Sequence, residues 1–198
     1  MTDSSARDQE VVLVRHGATE WSELGRHTGR TDLDLNDDGR AAARALTGAL
    51  AGREFALVLV SPLRRSQETA RLAGFDDRGD VTTDLCEWDY GDYEGRTTAE
   101  IRAEVPAWTV WSHPVPGGET ADEVATRIDR VIERARAAGG DVAVFGHGHS
   151  LRVFGARWCR MPPTDGRILA LDPASVSVLG YERETPVIRQ WNWVATVR

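Results

Sequence analysis

Val11-Val12-Leu13-Val14-Arg15-His16-Gly17 is the stretch on which the reading of this chain turns. A short, continuous, β-branched apolar run of this kind predicts a strand buried on both faces, here Glu10 to Val14, that stops abruptly at charged and flexible residues. Two more such runs follow, Phe55 to Val60 and Asp141 to Phe145. Helix signals lie between them. Asn36 is an N-cap for an alanine-rich helix to about Ala51, and Pro62 suits the first turn of a helix through Leu72. Thr120 and Glu123 make a capping box for a helix to about Ala138, stopped by Gly139-Gly140. Ser150 to Cys159 reads as a further helix, and Ser175 to Tyr181 and Val187 to Val194 as later strands. Strands alternating with helices predict an α/β fold, a three-layer α/β/α sandwich around a mostly parallel sheet. No repeat or linker divides the chain, so one domain over 1–198 is expected, with polar Met1 to Gln9 as a disordered tail.

At 198 residues, 41% hydrophobic and 28% charged, the chain can bury one substantial core. Its formal charge of -7 argues against nucleic acid as a partner, because such binders carry basic patches. All 24 basic residues are arginine. The absence of lysine excludes a P-loop lysine and Schiff-base chemistry, and leaves arginine and histidine to hold any anion. Cys86 and Cys159 have no CxxC spacing, so neither a disulfide framework nor a zinc site is indicated. No apolar stretch approaches a membrane span, and the start lacks a signal-peptide core, which predicts a cytoplasmic protein without membrane contact.

In open α/β sheets, functional side chains gather beyond the carboxyl ends of the strands. The three apolar strands end in Arg15-His16, Ser61-Pro62-Leu63-Arg64 and Gly146-His147, which directs all three sets toward one crevice. An unprotonated histidine among cations is suited to take a phosphoryl group. His16 is the candidate nucleophile, and Arg15, Arg64 and His147 are the candidate clamp, whose positive charge also keeps His16 neutral. The departing alcohol needs a proton. Leu85 to Gly95 contains four acids, Glu87, Asp89, Asp92 and Glu94, among which the pattern alone does not choose. Arg65 follows Arg64 on the same helix, and since adjacent helical residues diverge by about 100°, Arg65 is expected to be solvated.

The segments VRHGATEW, GRHTGRTDLDLNDDGR, SPLRRSQETA, LCEWDYGDYEG, PGGET and VFGHGHS occur in order from Val11 to about Arg157. This ordered set resembles the histidine phosphatase superfamily in its phosphoglycerate-mutase-like branch, most closely its small broad-specificity acid phosphatases. The resemblance implies a phosphoglycerate-mutase-like fold with His16 phosphorylated in turnover. Arg15, Arg64 and His147 match the family's phosphate pocket, and Glu87 its proton donor. Ser22, Thr28, Gly29 and Gly148 match substrate-pocket positions. His149 falls where mutases carry a polar pocket residue, and Asp89, Asp92 and Glu94 are read as a solvated or loop-ordering cluster. Trp88, Tyr90, Tyr93, Trp108 and Trp111 either wall the site or pack against the sheet, Trp88 and Tyr90 being carried as candidate substrate contacts. Glu119 is read as favouring a helix start rather than bracing a pocket arginine. His27 and His113 receive no role.

Mutases of this branch carry a basic residue soon after the glutamate segment and a basic pair in the following insert. Here Thr98 stands at the first place, Glu104 to Gly118 has neither Arg nor Lys, and Ser22 replaces an asparagine. The expectation is therefore metal-independent and cofactor-independent hydrolysis of a small phosphomonoester such as a sugar phosphate or phosphoglycerate. A cofactor-dependent phosphoglycerate mutase and a catalytically weak phosphate-binding or scaffold module are the alternatives. Relatives of this size are often dimers, so a homodimer is an expected assembly.

Overall fold

A computed structural model describes residues 9–76 and 79–194. Along the described residues run β1 (Val11–Arg15), α1 (Glu20–Glu23), α2 (Asp37–Leu50), β2 (Leu57–Val60), α3 (Arg64–Leu72), β3 (Asp80–Val81) and α4 (Thr98–Arg102). They are followed by α5 (Ala121–Arg136), β4 (Val142–Gly146), α6 (Gly148–Trp158), β5 (Ser175–Glu182) and β6 (Thr185–Val194). The strands form one sheet in the order β3-β2-β4-β1-β5-β6. β3, β2, β4 and β1 are mutually parallel, and β5 runs antiparallel to both β1 and β6.

The continuous apolar runs end up central because both their faces are covered. Val12, Val14, Val58, Val60, Ala143 and Phe145 pack with Leu46 and Leu50 of α2 and Ala70 of α3 on one side. Val11, Leu13, Leu59, Val142 and Val144 face α5 and α6 through Val124, Ile128, Leu151 and Phe154 on the other. Alternate residues of each strand thus feed two separate cores, as a period of two requires. The predicted α/β class and mostly parallel sheet are what the structure has.

Local differences have simple causes. The helix predicted from Pro62 begins at Arg64, because Leu63 is extended at φ -73 and ψ 135 and serves as N-cap. The short helices α1 and α4 lie in stretches where the sequence reading assigns no helix, each opened by a capping box, Thr19 with Ser22 and Thr97 with Glu100. The predicted tail at 1–8 lies outside the described residues. Gln9 does not belong to it: the side chain is buried, and its amide donates to the carbonyls of Ala135 and Gly140 at 2.8 and 2.7 Å. Among the described residues no helix is long and apolar enough to cross a membrane.

β2, β4 and β1 are neighbours and parallel, so their carboxyl ends open at the same edge. Being antiparallel, β5 starts where β1 ends, and Ala174 N–H donates to the His16 carbonyl at 3.0 Å. Gly17 lies against the first turn of α2: a Cβ there would meet the Gly39 carbonyl oxygen at 2.4 Å, and one on Gly39 would meet that of Ala18 at 2.1 Å. The loop behind His16 is therefore locked to α2 by backbone packed on backbone.

Candidate active site

A cavity of about 280 Å³ opens at this edge of the sheet. Of the residues singled out from the sequence, Arg15, His16, Ser22, Thr28, Glu87, Tyr90, Gly148 and His149 are on its wall. His16 is 6% exposed, and its Nδ1 lies 2.7 Å from the Gly17 carbonyl oxygen. A carbonyl only accepts, so Nδ1 carries the proton and Nε2 keeps its lone pair. Burial, followed by the charges of Arg65 and Arg15, holds the imidazole well below its ordinary pKa of 6.5. His16 is thus a neutral imidazole with its Nε2 lone pair free before any ligand arrives.

His147 adjoins it, with ring centroids 5.1 Å apart, but is fully buried behind the wall. Its Nδ1 accepts from Arg65 Nε at 3.2 Å, and a guanidinium never accepts, so Nε2–H donates to Ser61 Oγ at 2.7 Å. Burial and then Arg65 keep this ring neutral too.

The expectation for the two adjacent arginines is reversed. Arg65 is completely buried and donates to the carbonyls of Thr31, Thr28 and Gly29 at 2.8, 3.1 and 3.0 Å, besides His147. Arg64 is exposed and turned away from the cavity, paired with Asp32 at 3.3 Å and Asp34 at 3.0 Å. The face of α3 toward the sheet carries Arg65, Ser66, Thr69 and Ala70, and a step of about 100° back from Arg65 leaves that face. Arg15 sends Nη1 to the Leu171 carbonyl, while its Nε is buried without any protein partner. Such an orphaned charged donor on a cavity wall is suited to an anion.

Glu87 is 7% exposed and held by three N–H groups. Oε1 accepts from Trp88 and Ser150, each at 2.8 Å, and Oε2 from His149 at 2.9 Å. Two of these donors belong to the first turn of α6, so Glu87 caps that helix from a distant segment. Oε1 uses both lone pairs, whereas Oε2 retains one. The segment is braced from below by Arg127, which donates to the carbonyls of Asp84, Cys86 and Glu87 at 2.9, 2.6 and 3.1 Å. Arg127 is itself gripped by both oxygens of Glu119, at 2.8 and 2.9 Å. Glu119 thus neither merely starts a helix nor holds a cavity arginine.

The remaining candidates separate into wall and support. Trp88 is buried behind the wall, its indole N–H on the Glu119 carbonyl at 2.8 Å. Gly29 is also behind it, its N–H on Glu94, which likewise receives Thr31 N–H at 3.1 Å. Asp89 pairs with Arg30 and accepts from Gly91 N–H, so Asp89 and Glu94 order loops. Tyr90 is on the wall, its hydroxyl 2.6 Å from His149 Nδ1. Ser22 spends its hydroxyl on the Thr19 carbonyl at 2.9 Å. Arg26, His27, Thr98 and Arg152 also line the cavity and were not assigned from sequence. Each comes from a loop or a helix flank with no strand end to mark it. Among the described residues, no three His, Cys, Asp or Glu side chains converge as a metal site.

His16, His147 and His149 are held well below 6.5 and His27 at about 4, burial being the first cause in each. The unfolded chain therefore binds protons that these folded residues refuse. Their contribution to stability is complete above 6.5 and is lost as pH falls, through about 4 for His27. Denaturant midpoints measured down this range are expected to drop steadily, and a midpoint insensitive to pH between 6.5 and 4 would contradict the burial of these rings.

A neutral histidine close to Arg15 and Arg65, with the buried carboxyl group of Glu87 on the same cavity wall, at the carboxyl ends of a parallel sheet, defines a class of protein. A model of the histidine phosphatase superfamily, branch 1, matches residues 11–194, and the chain belongs to that family. It is an enzyme of the phosphatase class. It is 42% identical over 181 residues to an acid phosphatase of Mycobacterium tuberculosis, covering 89% of this chain and 88% of that one. It is 33% identical over 180 residues to sedoheptulose 1,7-bisphosphatase of Saccharomyces cerevisiae, covering 74% and 66%. A solved open-reading-frame product of Mycobacterium tuberculosis superposes with a TM-score of 0.92 at 38% identity, over 96% of this chain and 100% of the other.

Proposed function

We propose that the chain hydrolyses small phosphomonoesters in two steps through a phosphohistidine on His16. The observation that carries this reading is the hydrogen bond from His16 Nδ1 to the Gly17 carbonyl, which leaves Nε2 as a lone pair on the cavity wall. In the first step Nε2 attacks phosphorus, the ester P–O bond breaks, and a proton passes from Glu87 to the departing alkoxide. Oε2, with its unused lone pair, is the oxygen suited to hold that proton. In the second step water attacks phosphorus, Glu87 takes a proton from it, the P–N bond breaks, and inorganic phosphate leaves with His16 restored. Arg15 meets the phosphoryl oxygens through its unpartnered Nε. Arg65 supports the developing charge from beneath and keeps His147 in place. The cavity volume and the phosphatase names of the relatives support a small phosphate ester as substrate, sugar phosphates and phosphoglycerates among them.

The intermediate is open to direct test. Rapid quenching during turnover of a radiolabelled phosphomonoester is expected to leave label on the protein that survives base and is lost in acid. Label stable to acid, or none under single-turnover conditions, would sink the mechanism.

The role of Glu87 has its own signature. Glu87→Gln is expected to slow an alkyl phosphate about 10²-fold or more while slowing p-nitrophenyl phosphate far less, since its leaving group needs little protonation. The smaller common loss comes from geometry: all three N–H donors need an acceptor, and a Gln amide must turn its NH₂ toward at least one of them. Equal slowing of both substrates would mean that another group delivers the proton.

A further inference from the structure

We propose that Asn192, in a bulge of β6, is a positioning residue for the phosphate end of the cavity: it holds the carboxylate of Asp172 and so keeps that anion off Arg15. This rests on the reading of Arg15 as a phosphate contact and adds to it how that arginine is kept available.

The sheet register locates the device. Val178 pairs with Gln190 and Val176 with Trp193, so two residues of β6, Trp191 and Asn192, stand opposite the single residue Ser177 of β5. Such a bulge bends the strand and re-aims its side chains. Asn192 takes the left-handed conformation at φ 56, which asparagine tolerates better than most residues, and its N–H donates to Ser177 Oγ at 3.0 Å. Both side chains of the bulge turn to the loop that precedes β5. Trp191 Nε1 donates to the Ala170 carbonyl at 2.5 Å. Asn192 closes a reciprocal clasp on Asp172: its Oδ1 accepts from the Asp172 N–H at 2.6 Å, and its Nδ2 donates to Asp172 Oδ2 at 2.9 Å.

That loop sets the phosphate end of the site. The Leu171 carbonyl takes Nη1 of Arg15, and Ala174 N–H donates to the His16 carbonyl at 3.0 Å. Asp172 is therefore next in the chain to the carbonyl that Arg15 grips. Neighbouring Cα atoms are only about 3.8 Å apart, which brings a carboxylate at this position within reach of the guanidinium by a side-chain rotation. Burial lowers the pKa of Arg15, and the carboxylates that work against this are Glu87 and, after it, Asp172.

Among the described residues, Arg15 nevertheless makes no ion pair with Asp172, whose carboxylate is turned to the Asn192 amide. Were the two paired, every phosphate would have to displace a carboxylate from Arg15 before binding. A clasp that served only to fasten the loop would be complete with the Trp191 bond and the Asp172 N–H. The remaining bond goes to the carboxylate itself. No residue of β6 is on the cavity wall, so its influence passes through this loop.

The test titrates inorganic phosphate into the protein by calorimetry and measures KM and kcat for p-nitrophenyl phosphate. Asn192→Gly keeps the left-handed backbone accessible and removes the amide. It is expected to weaken phosphate binding and raise KM by about fivefold, with kcat changed by no more than about twofold, a modest effect because Asp172 is exposed and screened by water. Adding Asp172→Asn to Asn192→Gly is expected to restore both values, since the competing anion is gone. A purely structural role would leave the loop as loose as before and give no recovery. Should Asn192→Gly fail to fold, Asn192→Asp decides in its place: two facing carboxylates part, with the same loss, and the exchanged pair of Asn192→Asp with Asp172→Asn restores an amide against a carboxylate. Unchanged phosphate affinity in the single variant, or no recovery in the double variant, would overturn the proposal. Phosphate that does not bind the unaltered protein would remove the role of Arg15 and the proposal with it. Failure of the phosphatase reading alone would look different, as phosphate binding that responds to these substitutions with no turnover of any phosphomonoester.

Discussion

Replacing His16 with alanine is expected to lower kcat for every phosphomonoester by about 10⁴-fold or more, an activation cost of about 5–6 kcal/mol. No neighbouring group is placed to substitute. His147, the nearest imidazole, has its Nδ1 under Arg65 and its Nε2–H committed to Ser61, and it is fully buried. His16→Asn sharpens the experiment, because its amide N–H can still donate to the Gly17 carbonyl while offering no nucleophile. Both variants are expected to fold, since the backbone N–H and carbonyl of residue 16 keep their bonds to Gly146 and Ala174. Turnover within tenfold of the unaltered protein in either variant would remove His16 from the chemistry.

The second large effect distinguishes two neighbours. Arg65→Ala is expected to destabilise the fold by about 3 kcal/mol or more, because it strands three carbonyls and an imidazole nitrogen in the interior. It is also expected to cost most of the activity and to move the acid limb of kcat/KM upward, since the positive charge that depresses His16 and His147 is gone. Arg64→Ala removes only exposed pairs with Asp32 and Asp34, and should change stability by no more than about 1 kcal/mol. Denaturant midpoints and pH profiles of the two variants side by side provide the check. Similar losses from both would contradict the orientation of α3.

That pair also shows what could be read from the chain and what was lost. The strand-end rule brought Arg15, His16 and His147 to one edge, because continuous β-branched runs have only one place in such a sheet. Choosing Arg64 over Arg65 went wrong by one helical step, yet the signal was present. Ala70 and Thr69 are among the small residues of α3, and four positions before them stand Ser66 and Arg65. Four positions after Arg64 stands Glu68. A helix face read from its small residues would have turned Arg65 inward. Thr97-Thr98-Ala99-Glu100 likewise had the spacing of a capping box and opened α4 unread. Arg152 and His27 carried no comparable mark, since their place on the wall depends on how loops from separate parts of the chain close over one another. The bidentate grip of Glu119 on Arg127 was equally hidden: both are eight residues apart at a helix entry, but their target is a run of carbonyls forty residues upstream.

The position of β1 in the sheet bears on how the protein comes into being. The first strand of the chain pairs with β4 and β5, the fourth and fifth, more than 120 residues away. Nothing synthesised in between can satisfy its two edges. During translation β1 lacks its β4 partner until residue 146 has emerged, and its β5 partner until the 175–182 strand has followed. Contacts of such long sequence separation slow folding and lengthen the exposure of strand edges to wrong partners. A chain cut before Ser175 is expected to leave the β5-facing edge of β1 unpaired and to unfold at lower denaturant than the full chain.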